Sequence, residues 1–518
     1  MSQARPARPG NASGDTEPAK PERAGDTALT GSERSGNKAP AKSPEQSKRR
    51  GQAAPKAAAD PARRLAFDVL REVNGRGAYA NLALRQRLGR AGLNGRDAAF
   101  VTELTAGTCR AQGLYDQVLE RAAGRSLTTL QPAVADLLRL GCHQLLALRL
   151  PVPVAVSATV DLAAATVGRR VTGLVNAVLR RVASHGLEDW LDLLCEGLDR
   201  LAALACRTAH PKWIAAVYLE RLGWEEAAAA LQANNRPPET VLAVRPGLAS
   251  LDELAAQGAR PGRWSPYAAL ADGDPGRFDA VRQGRAGVED EGSQLVALGF
   301  AQAGGAVGGL STVSPWPGPA ERSPAAPPPL WLDLCAGPGG KAALLRGLAA
   351  AAGARLIANE AAPTRARLTA QALRAYPGPA AVVAADGRRP PWRPGVFDRV
   401  LADVPCTGLG ALRRRPEARW RKSAADLPAL TALQAGLLES ALASCRPGGL
   451  VVYATCSPHP AETDALVEKV LARGGAAQVI PAAEVWPDIP DSAFGPYLQL
   501  WPHRHGADAM FAAVLRRR

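Results

Sequence analysis

The chain has 518 residues, which at roughly 150 residues per domain implies two to four domains. Hydrophobic residues make up 47% and charged residues 21%, enough apolar material for a large core, so wholesale disorder is excluded. The net charge of +15 points to a polyanionic partner, most often nucleic acid, and no apolar run reaches the ~18 residues a membrane span requires.

Residues 1–60 are rich in Pro, Gly, Ser, Ala and basic residues and are expected to form a disordered basic tail, because they offer too little apolar surface to offset ordering entropy. Nothing after Met1–Gly10 supplies the apolar stretch of a secretory signal. From Pro61 the texture changes. "ARRLAFDVLREV" sets Leu65, Val69, Leu70 and Val73 at helical spacing, and further amphipathic segments predict five or more helices and an all-α domain over 61–190. Residues 191–300 read as mixed α and β, with "ETVLAVRP" strand-like and "VEDEGSQLVALGF" a turn entering a helix. Residues 303–329 form a Gly/Pro-rich insertion. Over 330–518, strands ("LWLDLC", "RLIANE", "AAVVAAD", "FDRVLADVP", "GGLVVYATCS") alternate with helices, the pattern of a doubly wound, Rossmann-like α/β domain. Ligands bind such sheets beyond the carboxyl ends of the strands, and the unusual residues fall there.

The first of these strands runs into the Gly-rich turn Cys335-Ala336-Gly337-Pro338-Gly339-Gly340-Lys341. Small residues let a ligand approach the backbone, and the next helix offers free N–H groups. The spacing is neither a Walker A loop nor GxGxxG. The second strand ends in Glu360, suited to ribose hydroxyls, and the third in Asp386, placed to reach an adenine amino group. Acids in series after consecutive strands point to a nucleoside ligand, and the lack of a phosphate-clamping GK[ST] favours a cationic one such as S-adenosylmethionine. Eight cysteines contain no CxxC pair, so no zinc ribbon or other metal site is expected. They are too sparse for a disulfide scaffold, and reduced thiols in a cytoplasmic protein are the simple reading. Cys406 and Cys456 stand at the tips of adjacent strands, where a thiolate can be stabilised by helix N-termini and cations. Carbon 5 of a pyrimidine becomes nucleophilic only after a thiolate adds to carbon 6. An acid near ring N3 assists that addition, and Asp403 is well placed for it. Downstream, Arg413, Arg414, Arg415 and Arg421 with Trp420 are candidates to meet an RNA backbone and an unstacked base.

At these residues the chain resembles the RNA cytosine-C5 methyltransferases of the Sun/RsmB (Fmu) type. The matching segments are "LDLCAGPGGKA", "ANEAAPTRARL", "ADGRRP", "FDRVLADVPCTGLGALRRRPEARW", "YATCSPHPAETDALVEKVL" and "PHRHGADAMF". The helical part resembles the NusB-like RNA-binding domain, notably in "GLVNAVLRRV". The resemblance implies that Cys456 is the nucleophile, that Cys406 assists product release, and that Asp403 contacts the target cytosine near the methyl donor. It further implies that Cys335–Lys341 wraps the methionine part of S-adenosylmethionine, with Lys341 reaching toward the base, and that the substrate is 16S ribosomal RNA. Glu360 stands where these bacterial enzymes more often carry Asp, and "VSATVDLA" lacks the Asn-Glu pair usual in the NusB-like part. A monomer acting on RNA, with no membrane partner, is expected. A tRNA substrate is the alternative within enzymes, and a non-catalytic NusB-like assembly factor the alternative outside them.

Overall fold

The computed structural model describes residues 59–93, 95–304, 327–379, 381–474 and 476–518. The expected tail up to residue 58 and residues 305–326 of the expected insertion lie outside them. Seven α-helices occupy the first part: Pro61–Arg76, Ala80–Ala91, Gly95–Arg110, Gln112–Ala123, Pro132–Leu146, Val152–Thr166 and Thr172–Val182. The first begins where Asp60 accepts the Arg63 N–H at 2.8 Å and where Pro61 has no N–H to satisfy. Its Val69, Leu70 and Val73 join Leu104, Leu119, Leu138 and Val178 in one core, so the helical periodicity in the sequence is the buried stripe of the fold. Asp136 is buried there and is met by Arg71 at 2.6 Å, Arg139 at 2.9 Å and Asn74 at 2.7 Å.

Helices Leu187–Cys195, Arg200–Arg207 and Lys212–Ala233 lead to a small antiparallel sheet. Its strands are β1 (Thr240–Val244), β2 (Arg260–Pro261), β3 (Ala268–Ala271) and β4 (Ala286–Val288), in the order β2-β3-β1-β4. Helix Glu291–Gln302 then leads toward the main sheet.

The main sheet contains β5 (Leu330–Asp333), β6 (Arg355–Asn359), β7 (Val382–Val383), β8 (Phe397–Asp403), β9 (Cys445–Thr455), β10 (Ala477–Ile480), β11 (Ala493–Phe494), β12 (Tyr497–Gln499) and β13 (Phe511–Arg517). Their order is β11-β12-β13-β9-β8-β5-β6-β7, with β10 paired to β13. The pairs from β7 to β9 are parallel, and β13 runs antiparallel to β9. The expected strand "AAVVAAD" shrinks to Val382–Val383. Among the described residues it is the edge of the sheet and pairs with β6 at only two positions, so no further ladder extends from its far side. The chain moves outward from β5 to β6 and β7, then crosses to β8 and β9. The strand order therefore reverses between β5 and β8, the switch point at which such sheets open a crevice.

Candidate active site

The parallel register of β8 and β9 pairs Asp403 with Ala454, and the Val404 N–H donates to the Ala454 carbonyl at 3.0 Å. The two strands thus end level, and the loops that follow bring Cys406 Sγ to 3.4 Å from Cys456 Sγ. The loops are fastened to each other and to the segment before β13. Gly410 N–H donates to the Cys456 carbonyl at 2.9 Å, and Ala509 N–H to the Gly410 carbonyl at 2.9 Å. A Cβ at position 410 would stand 2.2 Å from the Ala509 oxygen, so only glycine permits this approach. The hydrogen bond with Cys406 holds the Cys456 thiol below its ordinary value despite burial, and Arg415 adds to the effect. The same contact, with burial, pushes the Cys406 thiol well up. Cys456 is therefore the sulfur that carries negative charge more readily. All eight cysteines are free.

Beside the thiols lies a charged cluster. Lys341, in the first turn of helix Gly340–Ala351, places Nζ 2.8 Å from Asp403 Oδ2 and also hydrogen-bonds Ser293. Burial opposes the Lys341 charge, but Asp403 and Glu289 outweigh it and its pKa rises. Burial pushes the Glu289 carboxyl up to about 7. Asp333, at the end of β5, is likewise pushed up to about 7 by burial and the neighbouring Asp403 charge, and neither of its carboxyl oxygens has a side-chain partner.

This shift carries a prediction. The folded value exceeds the ordinary 3.8, so the native protein keeps a proton that the unfolded chain releases between about pH 4 and pH 7. The stability contribution of Asp333 is therefore lost as pH rises through that window. Asp333→Asn cannot ionise, and its stability relative to the parent is expected to grow by about 2 kcal/mol between pH 5 and pH 8. Denaturant unfolding of the cofactor-free protein at the two pH values checks this, and an unchanged difference would contradict it.

The remaining strand ends hold the other predicted carboxylates. Glu360 follows β6, is buried, and accepts the Gly337 N–H at 3.1 Å and the Ala362 N–H at 3.0 Å. A Cβ on Gly337 would meet Glu360 Oε2 at 2.2 Å, so turn and carboxylate fit only with glycine there. Cys335, Ala336, Pro338 and Gly339 complete the turn between β5 and helix Gly340–Ala351. Asp386 is half-buried and pairs with Arg388 at 2.7 Å, which holds its carboxyl down to about 2.

The Arg/Trp strip is placed differently from the expectation. Arg413 is buried and donates to the Gly506 carbonyl at 2.9 Å. Arg414 is paired with Asp290 and with Asp508 at 3.2 Å. Trp420 Nε1 donates to the Cys109 carbonyl at 2.9 Å, and its ring lies against Gly113, where a Cβ would come within 2.2 Å of it. Arg421 donates to the carbonyls of Val73, Gly77 and Ala78 at the end of the first helix, where carbonyls lack intrahelical donors. Four of the five residues are therefore spent on contacts inside the protein, and the strip fastens the main-sheet part to the helical part. Arg415 alone of the five is both exposed and, among the described residues, free of such bonds to carbonyls or carboxylates, with its guanidinium 5.3 Å from the centre of the Tyr79 ring. Trp420→Ala is expected to destabilise the protein by about 2–4 kcal/mol and to raise amide exchange in helices Gly95–Arg110 and Gln112–Ala123, which its ring touches. Exchange unchanged in those helices would show that the ring does not fasten them.

Two buried carboxylates beside the thiols and Lys341, Glu462 and Glu289, belong to no motif that marks them in the sequence. Glu289 sits in the acid-rich "VEDE", which read only as a turn. Glu462 lies six residues after Cys456 in a segment read only as a helix start. A carboxylate so close to a candidate nucleophile was the available signal.

Comparison with known proteins identifies related families for both parts of the chain. Residues 325–516 match the family described as "16S rRNA methyltransferase RsmB/F", and residues 60–184 match the NusB family. "Putative methyltransferase Rv1407" of Mycobacterium tuberculosis is 48% identical over 464 residues, covering 88% of this chain and 97% of that protein. "Ribosomal RNA small subunit methyltransferase B" of Pseudomonas putida is 30% identical over 403 residues, covering 75% and 84%. The solved structure of PH0851 is similar in fold, with a TM-score of 0.72 at 20% identity over 89% of this chain and 100% of that one. With relatives matched nearly end to end and a Rossmann-like sheet following a NusB-like helical part, the chain belongs to the RsmB/F family of S-adenosylmethionine-dependent RNA methyltransferases.

Proposed function

We propose that the protein methylates carbon 5 of a cytosine in 16S ribosomal RNA through a covalent adduct with Cys456. The observation that carries this reading is the pair of thiols 3.4 Å apart beside the Lys341–Asp403 ion pair. A methyltransferase acting on an oxygen or an exocyclic nitrogen needs no such pair, whereas carbon 5 needs a nucleophile at carbon 6.

The residues present fit S-adenosylmethionine. Asp386 presents a half-buried carboxylate for the adenine amino group, and Glu360 is held at the glycine turn for the ribose hydroxyls. The buried Asp333 carboxyl, with no side-chain hydrogen-bond partner among the described residues, and residues Cys335–Lys341 border the methionine end. When bound, the cofactor supplies an electrophilic methyl group.

The Cys456 thiolate adds to carbon 6, forming an S–C bond and moving electron density onto the ring. Asp403, held by Lys341, faces the N3 side and favours a proton there, which leaves carbon 5 nucleophilic. Once carbon 5 carries the methyl group, its proton passes to water, the S–C6 bond breaks, and N3 gives up its proton to the Asp403 carboxylate, which restores the neutral aromatic ring. The departing sulfur takes back its electron pair next to Cys406, whose S–H offers it a hydrogen bond. The helical residues 61–190 dock the RNA in this reading, with 191–300 the amino-terminal part of the catalytic module and 330–518 its methyltransferase domain. Arg415 is the member of the Arg/Trp strip retained as an RNA contact. The ribosomal substrate is favoured by the Pseudomonas putida relative, whose name specifies small-subunit ribosomal RNA.

Incubation with methyl-labelled S-adenosylmethionine and unmethylated 16S rRNA is expected to label one cytosine at carbon 5, read by mass spectrometry of nuclease fragments. Label on a nitrogen, or label on tRNA but not on 16S rRNA, would overturn the chemistry or the substrate respectively.

A further inference from the structure

The reaction proposed for Cys456 requires that one of two sulfurs 3.4 Å apart be consistently the nucleophile. The structure contains a device suited to that task. Glu462, in the short 3-10 turn Pro460–Glu462 after β9, is fully buried. Its carboxylate accepts the Thr407 N–H at 2.8 Å, the Thr407 hydroxyl, the Ser457 hydroxyl at 2.6 Å and Gln434 Nε2 at 3.0 Å. Thr407 follows Cys406 and Ser457 follows Cys456, so one carboxylate holds the residue after each thiol. The two hydroxyls are themselves 3.1 Å apart. Gln434 also donates to the Pro405 carbonyl at 2.9 Å, which braces the residue before Cys406. The Tyr453 hydroxyl donates to the Glu462 carbonyl at 2.7 Å, tying the turn back to β9. A buried carboxylate is costly unless donors meet its lone pairs. Here four do, and all come from the thiol loops or from the helix that braces them.

We propose that Glu462 is the positioning residue of the thiol pair: its carboxylate locks the two loops in the register that holds the Cys406 and Cys456 sulfurs in hydrogen-bonding contact. The proposal rests on the reading of Cys456 as nucleophile and adds the reason the two cysteines are not interchangeable. The charge of the group acts in the same direction. After the Cys456 contact and burial, the Glu462 carboxylate is a further influence that keeps the proton on Cys406, leaving Cys456 as the anionic partner.

The test uses the full-length protein without RNA. Iodoacetamide alkylation of each cysteine is followed by peptide mass spectrometry from pH 6 to pH 9. In the parent protein Cys456 is expected to react at least about tenfold faster than Cys406 at pH 7. In Glu462→Gln, which keeps the shape but removes the charge, that ratio is expected to fall about tenfold and the two pH profiles to converge. Glu462→Asp is expected to recover part of the preference. An unchanged ratio in a folded Glu462→Gln protein would overturn the proposal and leave Glu462 a purely structural group. Should Glu462→Gln fail to fold, Ser457→Ala removes one donor while keeping the charge. A fall of about threefold in the ratio is then expected, and an unchanged ratio overturns the proposal equally. Methyl transfer to cytosine by the parent protein is measured separately. Loss of the thiol preference and absence of cytosine methylation are therefore distinct failures, the first of this proposal and the second of the activity on which it rests.

Discussion

Cys456→Ala is expected to abolish methyl transfer, with a fall of roughly 10,000-fold or more in kcat/KM, while S-adenosylmethionine still binds. Cys406→Ala is expected to behave differently. Its Cys456 still adds to carbon 6, but the sulfur that stood 3.4 Å away no longer assists departure. A covalent protein–RNA complex should therefore accumulate, seen as a band that survives denaturant and disappears in the Cys406→Ala, Cys456→Ala double variant. The asymmetry follows from the charges and burial around the pair. Cys456 is the member of the pair whose thiol is held below its ordinary value and Cys406 the one pushed up, so the two residues cannot exchange roles without rearranging their loops. Full turnover by Cys456→Ala, or a stable adduct on that variant, would reverse the assignment.

Lys341→Met and Asp403→Asn are each expected to lower kcat/KM by roughly 100- to 10,000-fold. The double variant is expected to lose no more than the worse single change. Lys341 Nζ lies 2.8 Å from Asp403 Oδ2, and groups that act as one unit give non-additive losses. Lys341 has a second task that Asp403 does not share: it is the cation that Glu289 and Asp333 face. Without it those two carboxyls, already held near neutrality, keep their protons to higher pH. The Lys341→Met protein is therefore expected to be destabilised by about 1–3 kcal/mol at pH 8 and by less at pH 5. Steady-state kinetics of the two single variants and the double, with denaturant unfolding at both pH values, test this. Multiplicative losses in the double variant would mean that Lys341 and Asp403 act independently.

Most of the candidate site was legible in the linear chain. Cys335–Lys341, Glu360, Asp386, Asp403, Cys406 and Cys456 were found because each lies just past an apolar run, and an alternating βα pattern sends every such position to the same end of a parallel sheet. The helices over 61–182 were legible because their apolar stripe has the helical period, as Val69, Leu70 and Val73 illustrate. The C-terminal strands β10–β13 were not assigned. Their segments are short, and β13 is held by antiparallel pairing to β9, a partner more than fifty residues away. The strip from Arg413 to Arg421 misled for a related reason. Composition reports the charge of a segment but not what lies opposite it, and here Asp290, Asp508 and the carbonyls at the end of the first helix lie opposite.

The amino-acid order by itself determined the succession of helices and strands, the glycine turn and the kinds of group delivered to each strand end, because these depend on local periodicity and on which residues tolerate a tight turn. Only the tertiary structure decided that Cys406 and Cys456 touch, that Glu462 ties the residues after them together, that Lys341 serves three acids, and that Trp420 and Arg421 face inward. Those outcomes depend on register between strands and on packing between segments far apart in the chain, where burial and distance set which charges pair and which thiol keeps its proton.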